Sequence, residues 1–295
     1  MSGPVLDISD LHVALGGRSP RPLLRGVSLA IAPGEVRGLV GESGAGKSMI
    51  ARAVFGMLPG GARITRGRIA FAGRDLGTMP VAERRALLGA QIALIPQDPM
   101  TSLNPVKRIG DQIGTLLRLK LGLDRTARRE TAVALLADVA IRDPRRVVEL
   151  YPHELSGGMR QRILIAMAFA ASPRLVIADE PTTALDVTVQ RQILRLIHDL
   201  QHRLGSAVLF VTHNFGLVAK LCQRVTVLYA GRVVEEGATA ALLAEPRAAY
   251  TRALLAATPR LDRPAEALAP LPRTLTDTLV AEARAYDAAN PAAYR

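Results

Sequence analysis

Residues 41–48 constrain the fold more than any other segment, because their letters, GESGAGKS, follow the spacing G-x-x-x-x-G-K-S. Residues 35–40 before them predict a short buried strand, and residues 49–57 after them predict a helix. A glycine-rich turn between a strand and a helix directs backbone N–H groups at an anion, and the helix N-terminus adds partial positive charge. The alternative is an ordinary strand–turn–helix with a chance match. The spacing and both flanks favour a phosphate-binding loop.

The loop predicts the binding of a nucleotide together with a magnesium ion. The Lys47 ammonium would reach the β- and γ-phosphates, and the Ser48 hydroxyl would help to hold Mg²⁺. Only four of the 38 basic residues are lysine, so a compact ammonium has been kept where the planar fork of arginine would be a poor substitute. The predicted nucleotide contacts of this segment are Gly41, Glu42, Ser43, Gly44, Ala45, Gly46, Lys47, Ser48 and Met49.

Composition narrows the classes of function. The single Cys222 excludes a disulfide framework and a multi-cysteine metal site within one chain. We expect no signal peptide and no transmembrane helix, because the longest apolar run, residues 163–171, is about half the length that a bilayer needs. The net charge of +12 leaves nucleic acid or an anionic membrane face open as partners. With 3% aromatic residues, base-stacking platforms are not expected.

The order of elements predicts an α/β fold with two additions. Alternating apolar and polar residues at 5–9 and 24–31 indicate an N-terminal antiparallel β subdomain. Residues 106–150 have helical periodicity and predict an inserted helical subdomain, taken as about 98–165. Further strands are expected at 67–73 and 91–96. Later α/β elements are expected at 160–171 (helix), 175–178 (strand), 187–204 (helix), 207–212 (strand) and 224–229 (strand). Residues 1–258 then form the main domain, and 259–295 a proline-rich linker followed by a short helix or a disordered segment.

Two carboxylates follow the apolar segment 175–178. A buried parallel strand would deliver Asp179 to its carboxyl edge, where ligands of open α/β sheets bind, and Asp179 could hold Mg²⁺ through water. Glu180, one residue further, could orient or deprotonate a water that attacks the γ-phosphate. Either acid alone is better explained as a solvated acidic residue at the end of a strand. Their combination with the phosphate loop favours the catalytic interpretation.

A second anion site is predicted at Ser156, Gly157 and Gly158, which open an apolar helix. A serine followed by two glycines at a helix N-terminus presents backbone N–H groups to a negative group. Read alone, the three residues could be a helix cap. Because one ATP does not need two such sites on one chain, the sequence predicts a dimer in which each serine loop closes over the partner's nucleotide.

Taken in order along residues 5 to about 240, these segments resemble the ATP-binding cassette (ABC) ATPase subunits, which implies the P-loop ABC-ATPase core. The resemblance rests on the phosphate loop, Gln97 after a strand, the Leu-Ser-Gly-Gly segment, the acidic pair, Asp186 and His213. It implies that Gln97 senses the γ-phosphate and Mg²⁺, that Asp186 lies at the dimer interface, and that His213 contacts the γ-phosphate. The implied ligands are ATP and Mg²⁺. The implied catalytic residues are Glu180, His213 and Lys47, and the implied metal-binding residues are Ser48, Gln97 and Asp179.

Residues 97–105, 151–159 and 249–255 further resemble the oligopeptide/dipeptide importer ATPases, which include nickel and glutathione importers. This implies the ATPase subunit of a bacterial importer at the cytoplasmic face of the cell membrane. Its implied partners are permease subunits, a second ATPase subunit (a paralogue or a copy) in a head-to-tail dimer, and a periplasmic or extracellular solute-binding protein. A nickel or other small-solute importer remains an alternative. A soluble cassette ATPase acting on nucleic acid is favoured only by the charge, and no nucleic-acid partner is expected.

The sequence departs from this family in three places. Leu15 occupies the position of the aromatic residue that stacks on adenine, so we expect Leu15 to contact the base with an apolar face only. Cys222 alone cannot supply the iron–sulfur cluster of some relatives. The chain is short for this branch, and its sequence after Pro264 matches no pattern of the family.

Overall fold

The computed structural model describes residues 3–17, 20–183, 185–257 and 272–294. The strands of these ranges are β1 (Leu6–Leu15), β2 (Arg21–Ile31), β3 (Val36–Val40), β4 (Ala62–Phe71), β5 (Arg74–Asp75), β6 (Ile92–Ile95), β7 (Leu175–Asp179), β8 (Ala207–Thr212), β9 (Arg224–Tyr229) and β10 (Arg232–Ala238). Their α-helices are α1 (Lys47–Phe55), α2 (Val81–Leu87), α3 (Pro99–Ser102), α4 (Ile109–Leu121), α5 (Arg125–Asp138), α6 (Pro144–Val147), α7 (Gly157–Phe169), α8 (Val187–Leu204), α9 (Phe215–Leu221), α10 (Thr239–Ala244), α11 (Ala249–Ala256) and α12 (Arg273–Ala289).

The chain divides into two compact units. Unit 1 combines Met1–Met79 with Leu209–Arg295, and unit 2 is the single stretch Pro80–Val208. The helical block predicted at about 98–165 falls within unit 2, and its limits stay a prediction, as does the domain end at residue 258. None of the helices in the described ranges is both long and apolar enough to cross a bilayer.

Unit 1 contains an antiparallel sheet in the order β2-β1-β4-β5. Leu6 of β1 lies opposite Ile31 of β2 and Phe71 of β4, and all three side chains are buried. The alternation at residues 5–9 and 24–31 therefore produces the predicted antiparallel strands, because alternate side chains of a strand share one face. The observed β1 and β2 extend beyond the segments in which the alternation is clear.

The strands next to the phosphate loop lie in the order β10-β9-β3-β8. β3 runs parallel to β9 and has all five residues buried, whereas β10 returns antiparallel to β9. Buried apolar strands suit a parallel sheet covered on both faces. The predicted strands at 207–212 and 224–229 are confirmed as β8 and β9, and the strand predicted at 35–40 begins one residue later as β3.

Unit 2 contains the parallel pair β6 and β7 with the helices from α2 to α8. α4 and α5 pack together through buried apolar side chains that include Ile113, Leu117 and Leu136. Because parallel strands end at the same edge, the residues that follow β6 and β7 are brought near each other. The predicted helix at 187–204 is confirmed as α8.

Two predicted helix boundaries are wrong. α7 begins at Gly157, which agrees with the helix start inferred at residues 156–158 but not with the limit of 160, because Ser156 caps the helix and accepts a hydrogen bond from the Met159 N–H. α1 begins at Lys47 and ends at Phe55, because Gly56 has φ 67° and closes the helix in the left-handed conformation. The sequence interpretation omitted α2, α9, α10, α11, β5 and β10 altogether.

The C-terminal helix α12 packs on β2 and is followed by a 3-10 turn at Pro291–Tyr294. The Arg25 guanidinium donates two hydrogen bonds, of 2.8 and 2.9 Å, to the Asp287 carboxylate. His12 on β1 is fully buried, with its ring centroid 6.1 Å from that of Tyr286 and 5.4 Å from that of Tyr294. The predicted proline-rich linker falls largely on residues 258–271, outside the described ranges.

Candidate functional site

The phosphate loop links β3 to α1 in unit 1. Gly44 and Gly46 have φ of 83° and 103°, so the loop turns through left-handed conformations that favour glycine. A methyl group built on Gly44 would meet no atom of the described chain within 4 Å, so the loop has an open face. The helix begins at the next residue after Gly46. This open, N–H-rich turn at a helix start fits a nucleotide phosphate.

Lys47 lies over the first turn of this loop. Its ammonium donates to the carbonyl oxygens of Gly41 at 2.8 Å and Glu42 at 2.9 Å, and the residue is 4% exposed. Ser48 follows in the first turn of α1, and the Met49 N–H donates to the Gly46 carbonyl. The Met49 N–H therefore takes part in the first hydrogen bonds of α1.

The loop is held from behind by the β9–β10 hairpin. A methyl group on Gly41 would lie 2.1 Å from the Leu228 carbonyl oxygen, so only glycine permits this approach. The Gly231 N–H donates to the Ala45 carbonyl at 2.9 Å. The loop therefore has a braced back and an open front, a preorganised arrangement for an anion.

Gln97 and Glu180 lie together in unit 2, where each follows one strand of the β6–β7 pair. The Gln97 amide donates to Glu180 Oε2 at 3.4 Å, and the Thr183 hydroxyl donates to the same oxygen at 2.9 Å. Glu180 has φ 44°, a conformation that costs free energy for a residue with a side chain and that often marks a functional position. Asp179, immediately before it, is the last residue of β7.

Thr183 was not assigned a role from sequence. Its hydroxyl donates to the Glu180 carboxylate and fixes it. The only sign of this contact in the sequence is a threonine three residues after an acidic residue.

Asp98, after Gln97, accepts hydrogen bonds from the Met100 N–H at 2.7 Å and the Thr101 hydroxyl at 2.8 Å. These bonds lower the pKa of the Asp98 carboxyl. They also cap α3, which fixes the backbone that carries Gln97.

Ser156 and Asp186 cap two packed helices of unit 2. The Ser156 hydroxyl accepts from the Met159 N–H at 3.3 Å, and the Asp186 carboxylate accepts from the Val189 N–H at 2.9 Å. A methyl group on Gly158 would approach Val189 Cγ1 to 3.1 Å, so glycine allows the start of α7 to pack close to α8. Ser156 and Asp186 are both exposed. The structure thus brings the two predicted dimer-facing caps onto neighbouring helix ends.

His213 and Leu15 lie on unit 1. His213 follows β8 directly and is exposed, next to Asn214, which caps α9. Leu15 ends β1 with a side chain that is 36% exposed, beside Gly61. His213 follows a strand, as the sequence predicted, whereas the extension of β1 to Leu15 was not predicted. The contacts of both residues with a nucleotide stay predictions.

Two features define the class of protein as a P-loop ATPase. The first is the braced glycine-rich loop with Lys47 and Ser48, and the second is the parallel strand β7, which ends at Asp179 and is followed by Glu180. A family model described as ABC transporter matches residues 24–183, more than half of the chain. The chain belongs to this family. It is an ATP-binding cassette ATPase of α/β fold, which hydrolyses ATP with Mg²⁺.

Similar proteins support this assignment. The probable peptide ABC transporter ATP-binding protein y4tR of Sinorhizobium fredii is 49% identical over 86% of this chain and 77% of its own length. The dipeptide transport ATP-binding protein DppD of Escherichia coli is 45% identical over 91% of this chain and 82% of its own. Among solved structures, the ATP-binding cassette MJ0796, a dimer in a post-hydrolysis state bound to ADP and Pi, has a TM-score of 0.71 and 25% identity, with coverage of 79% and 98%. The resemblance and the fold class predicted from sequence are confirmed.

Proposed function

We propose that this chain is the ATPase subunit of a bacterial peptide importer, acting in a head-to-tail pair of ATPases docked on a membrane permease. The observation that carries the proposal is the cargo named for its relatives, since y4tR and the DppD proteins of Escherichia coli and Bacillus subtilis are named as peptide or dipeptide transport subunits at 43–49% identity. Docking on a permease would place the chain at the cytoplasmic face of the cell membrane. The solute-binding protein would act on the opposite face of the membrane.

In this proposal unit 1 binds the nucleotide phosphates. The N–H groups of residues 44 and 46–48 and the Lys47 ammonium hold the β- and γ-phosphates, whereas the Ala45 N–H donates to the Glu42 carbonyl within the loop. The braced back of the loop supports this role. The metal-binding roles fall to Ser48, Gln97 and Asp179, whose oxygen atoms suit Mg²⁺. When bound, Mg²⁺ neutralises negative charge on the phosphates.

Glu180 is the group proposed to take a proton from the attacking water. Thr183 and Gln97 hold its carboxylate in one orientation. This supports a role as general base, because a general base must be directed at the water from which it takes the proton. His213 and Lys47 are proposed to stabilise the charge of the γ-phosphate as the bond to it breaks. The exposed caps Ser156 and Asp186, with Gly157 and Gly158, are proposed to close over the nucleotide of the partner ATPase.

A basic cavity in unit 2 supports docking of the permease on the helical block. This cavity, of about 310 Å³, lies between α4, α5 and the segment before α7. Four arginines and two acids line it: Arg108, Arg125, Arg128, Arg129, Asp111 and Glu149. Arg108 and Arg129 both pair with Glu149 at 2.7 Å, so the lining keeps an excess of positive charge. An acidic side chain of a permease would complement it.

Reversal of charge at this cavity tests the proposal. The chain, purified with its membrane subunits and reconstituted in vesicles, should import labelled dipeptides when ATP is supplied. We expect Arg125→Glu with Arg128→Glu to lower peptide uptake about tenfold or more, since an acidic partner would be repelled, with ATP affinity unchanged.

Arg191→Glu with Arg195→Glu is the matched control, because it makes the same change of charge on the exposed surface of α8. Uptake of nickel instead of peptides, or recovery of the chain with nucleic acid alone, would contradict the proposed cargo. Equal peptide uptake by both double variants would contradict docking at the cavity.

The base site gives a separate prediction. Stacking of a base on an aromatic ring contributes about 1–3 kcal/mol, and Leu15 offers no ring. We expect weak discrimination between ATP and GTP, and Leu15→Tyr should tighten ATP binding by up to about 1 kcal/mol. Dissociation constants for both nucleotides test this, with Leu15→Met as the control that adds no ring. A strong ATP preference that Leu15→Tyr does not alter would show that another group holds the adenine.

A further inference from the structure

Helix α11 reaches the phosphate loop from the C-terminal part of unit 1. The hydroxyl of Tyr250, in its first turn, accepts a hydrogen bond of 3.2 Å from the Glu42 N–H. Tyr250 is 1% exposed and is among the largest fully buried side chains of the chain. It lies well outside residues 24–183, which the family model covers. A residue 208 positions away therefore touches the backbone of the loop.

The position of the Tyr250 hydroxyl is fixed from two sides. Its ring packs against that of Tyr229 at the end of β9, with centroids 4.7 Å apart and planes tilted by 56°. The backbone just before α11 is tied to β10, because the Glu235 carboxylate accepts from the N–H groups of Arg247 at 2.8 Å and Ala248 at 3.0 Å. The hairpin that braces the back of the loop thus also holds the tyrosine.

Glu42 is held at both ends of its backbone. Its N–H donates to Tyr250, while its carbonyl accepts from the Lys47 ammonium, which also contacts the Gly41 carbonyl. An ammonium has three donors, so contacts of Lys47 with both the β- and the γ-phosphate leave one donor for the two carbonyls, and at least one carbonyl contact is given up. The contact from Tyr250 does not depend on that exchange.

We propose that Tyr250 is a positioning residue for nucleotide binding, whose hydroxyl holds the first turn of the phosphate loop in place while Lys47 exchanges carbonyl oxygens for phosphates. The inference rests on the proposed roles of the loop and of Lys47. Burial raises the pKa of Tyr250, so its hydroxyl keeps its proton and remains neutral beside the loop at physiological pH. A phenolate there would oppose the approach of a triphosphate.

Tyr250→Phe tests the inference, because it keeps the ring against Tyr229 and removes only the hydroxyl that accepts from the Glu42 N–H. We expect the dissociation constant for Mg²⁺–ATP, measured by titration calorimetry on the full chain, to rise about three- to tenfold, as for the loss of one hydrogen bond. In the reconstituted transporter the KM for ATP should rise likewise, with kcat within about twofold. A tyrosine that only packs in the core would change the unfolding midpoint without this shift in affinity.

Tyr229→Phe is the matched control, because it removes the neighbouring hydroxyl of the same aromatic pair, and ATP affinity should stay within about twofold. Glu235→Gln weakens the tie of α11 without altering the tyrosine and should raise the dissociation constant by a smaller factor. Equal ATP affinity in wild type and Tyr250→Phe would overturn the positioning role alone. A wild-type chain that does not bind ATP would overturn the proposed function and this inference with it.

Discussion

Glu180→Gln is expected to lower ATP hydrolysis by about two orders of magnitude or more while ATP binding survives. The amide keeps the shape of the side chain but cannot accept a proton from water, and general base catalysis typically contributes about 10²–10⁴-fold. The Thr183 hydroxyl can still donate to the amide oxygen, so the local structure should persist. Phosphate release in the assembled transporter and the dissociation constant for ATP measure the two effects separately.

Glu130→Gln is the control for this variant. It makes the same chemical change on the exposed surface of α5 in the same unit and should leave hydrolysis unaltered. If Glu180→Gln hydrolyses ATP at a rate near that of the wild type, another group activates the water and the assignment of the base is wrong.

Gly41→Ala is expected to destabilise unit 1 strongly and to abolish ATP binding. The added methyl group would lie 2.1 Å from a carbonyl oxygen of β9 and 3.1 Å from the Ala45 side chain, and a backbone oxygen cannot swing away as a flexible side chain can. Either β3 or β9 must shift, so we expect a loss of about 3 kcal/mol or more in the free energy of unfolding. Urea denaturation and ATP titration measure both consequences.

Gly60→Ala is the matched control in unit 1. A methyl group there would meet no atom of the described chain within 4 Å, and its φ lies outside the left-handed region. We expect its stability within about 0.5 kcal/mol of the wild type. If Gly41→Ala has the same free energy of unfolding and the same ATP affinity as the wild type, the loop does not depend on this close approach.

The parts of the fold that sequence predicts well are those encoded locally. The chemistry of the phosphate loop lies within eight consecutive residues, and the helix at 187–204 has both an aspartate cap and a long amphipathic pattern. The serine cap of α7 was recognised at residues 156–158, but the limit of the helix was placed at 160, because two glycines weaken helix propensity whereas the Ser156 cap stabilises the helix through them. Local hydrogen bonding outweighed the propensity.

The remaining parts depend on partners far apart in sequence. Nothing near Tyr250 indicates that its hydroxyl contacts Glu42, and nothing near Asp287 indicates a pair with Arg25, 262 positions away. β10 contains adjacent valines, adjacent glutamates and no buried residue, so it lacks the alternation of apolar and polar residues by which strands are recognised. These features follow from packing among elements, which no local pattern encodes.

The discontinuity of unit 1 has a consequence for its synthesis. Unit 2 is one stretch of chain, so all of it is available for folding before the second half of unit 1 has been made. Asp287 follows Arg25 by 262 residues, and translation at about 5–20 residues per second separates them by roughly 13–52 seconds. Through that interval the Arg25 side chain and the face of β1 that carries His12 lack their final cover. The face of β1 and β2 that α12 covers therefore stays exposed in a nascent chain until residues 286–294 have been made.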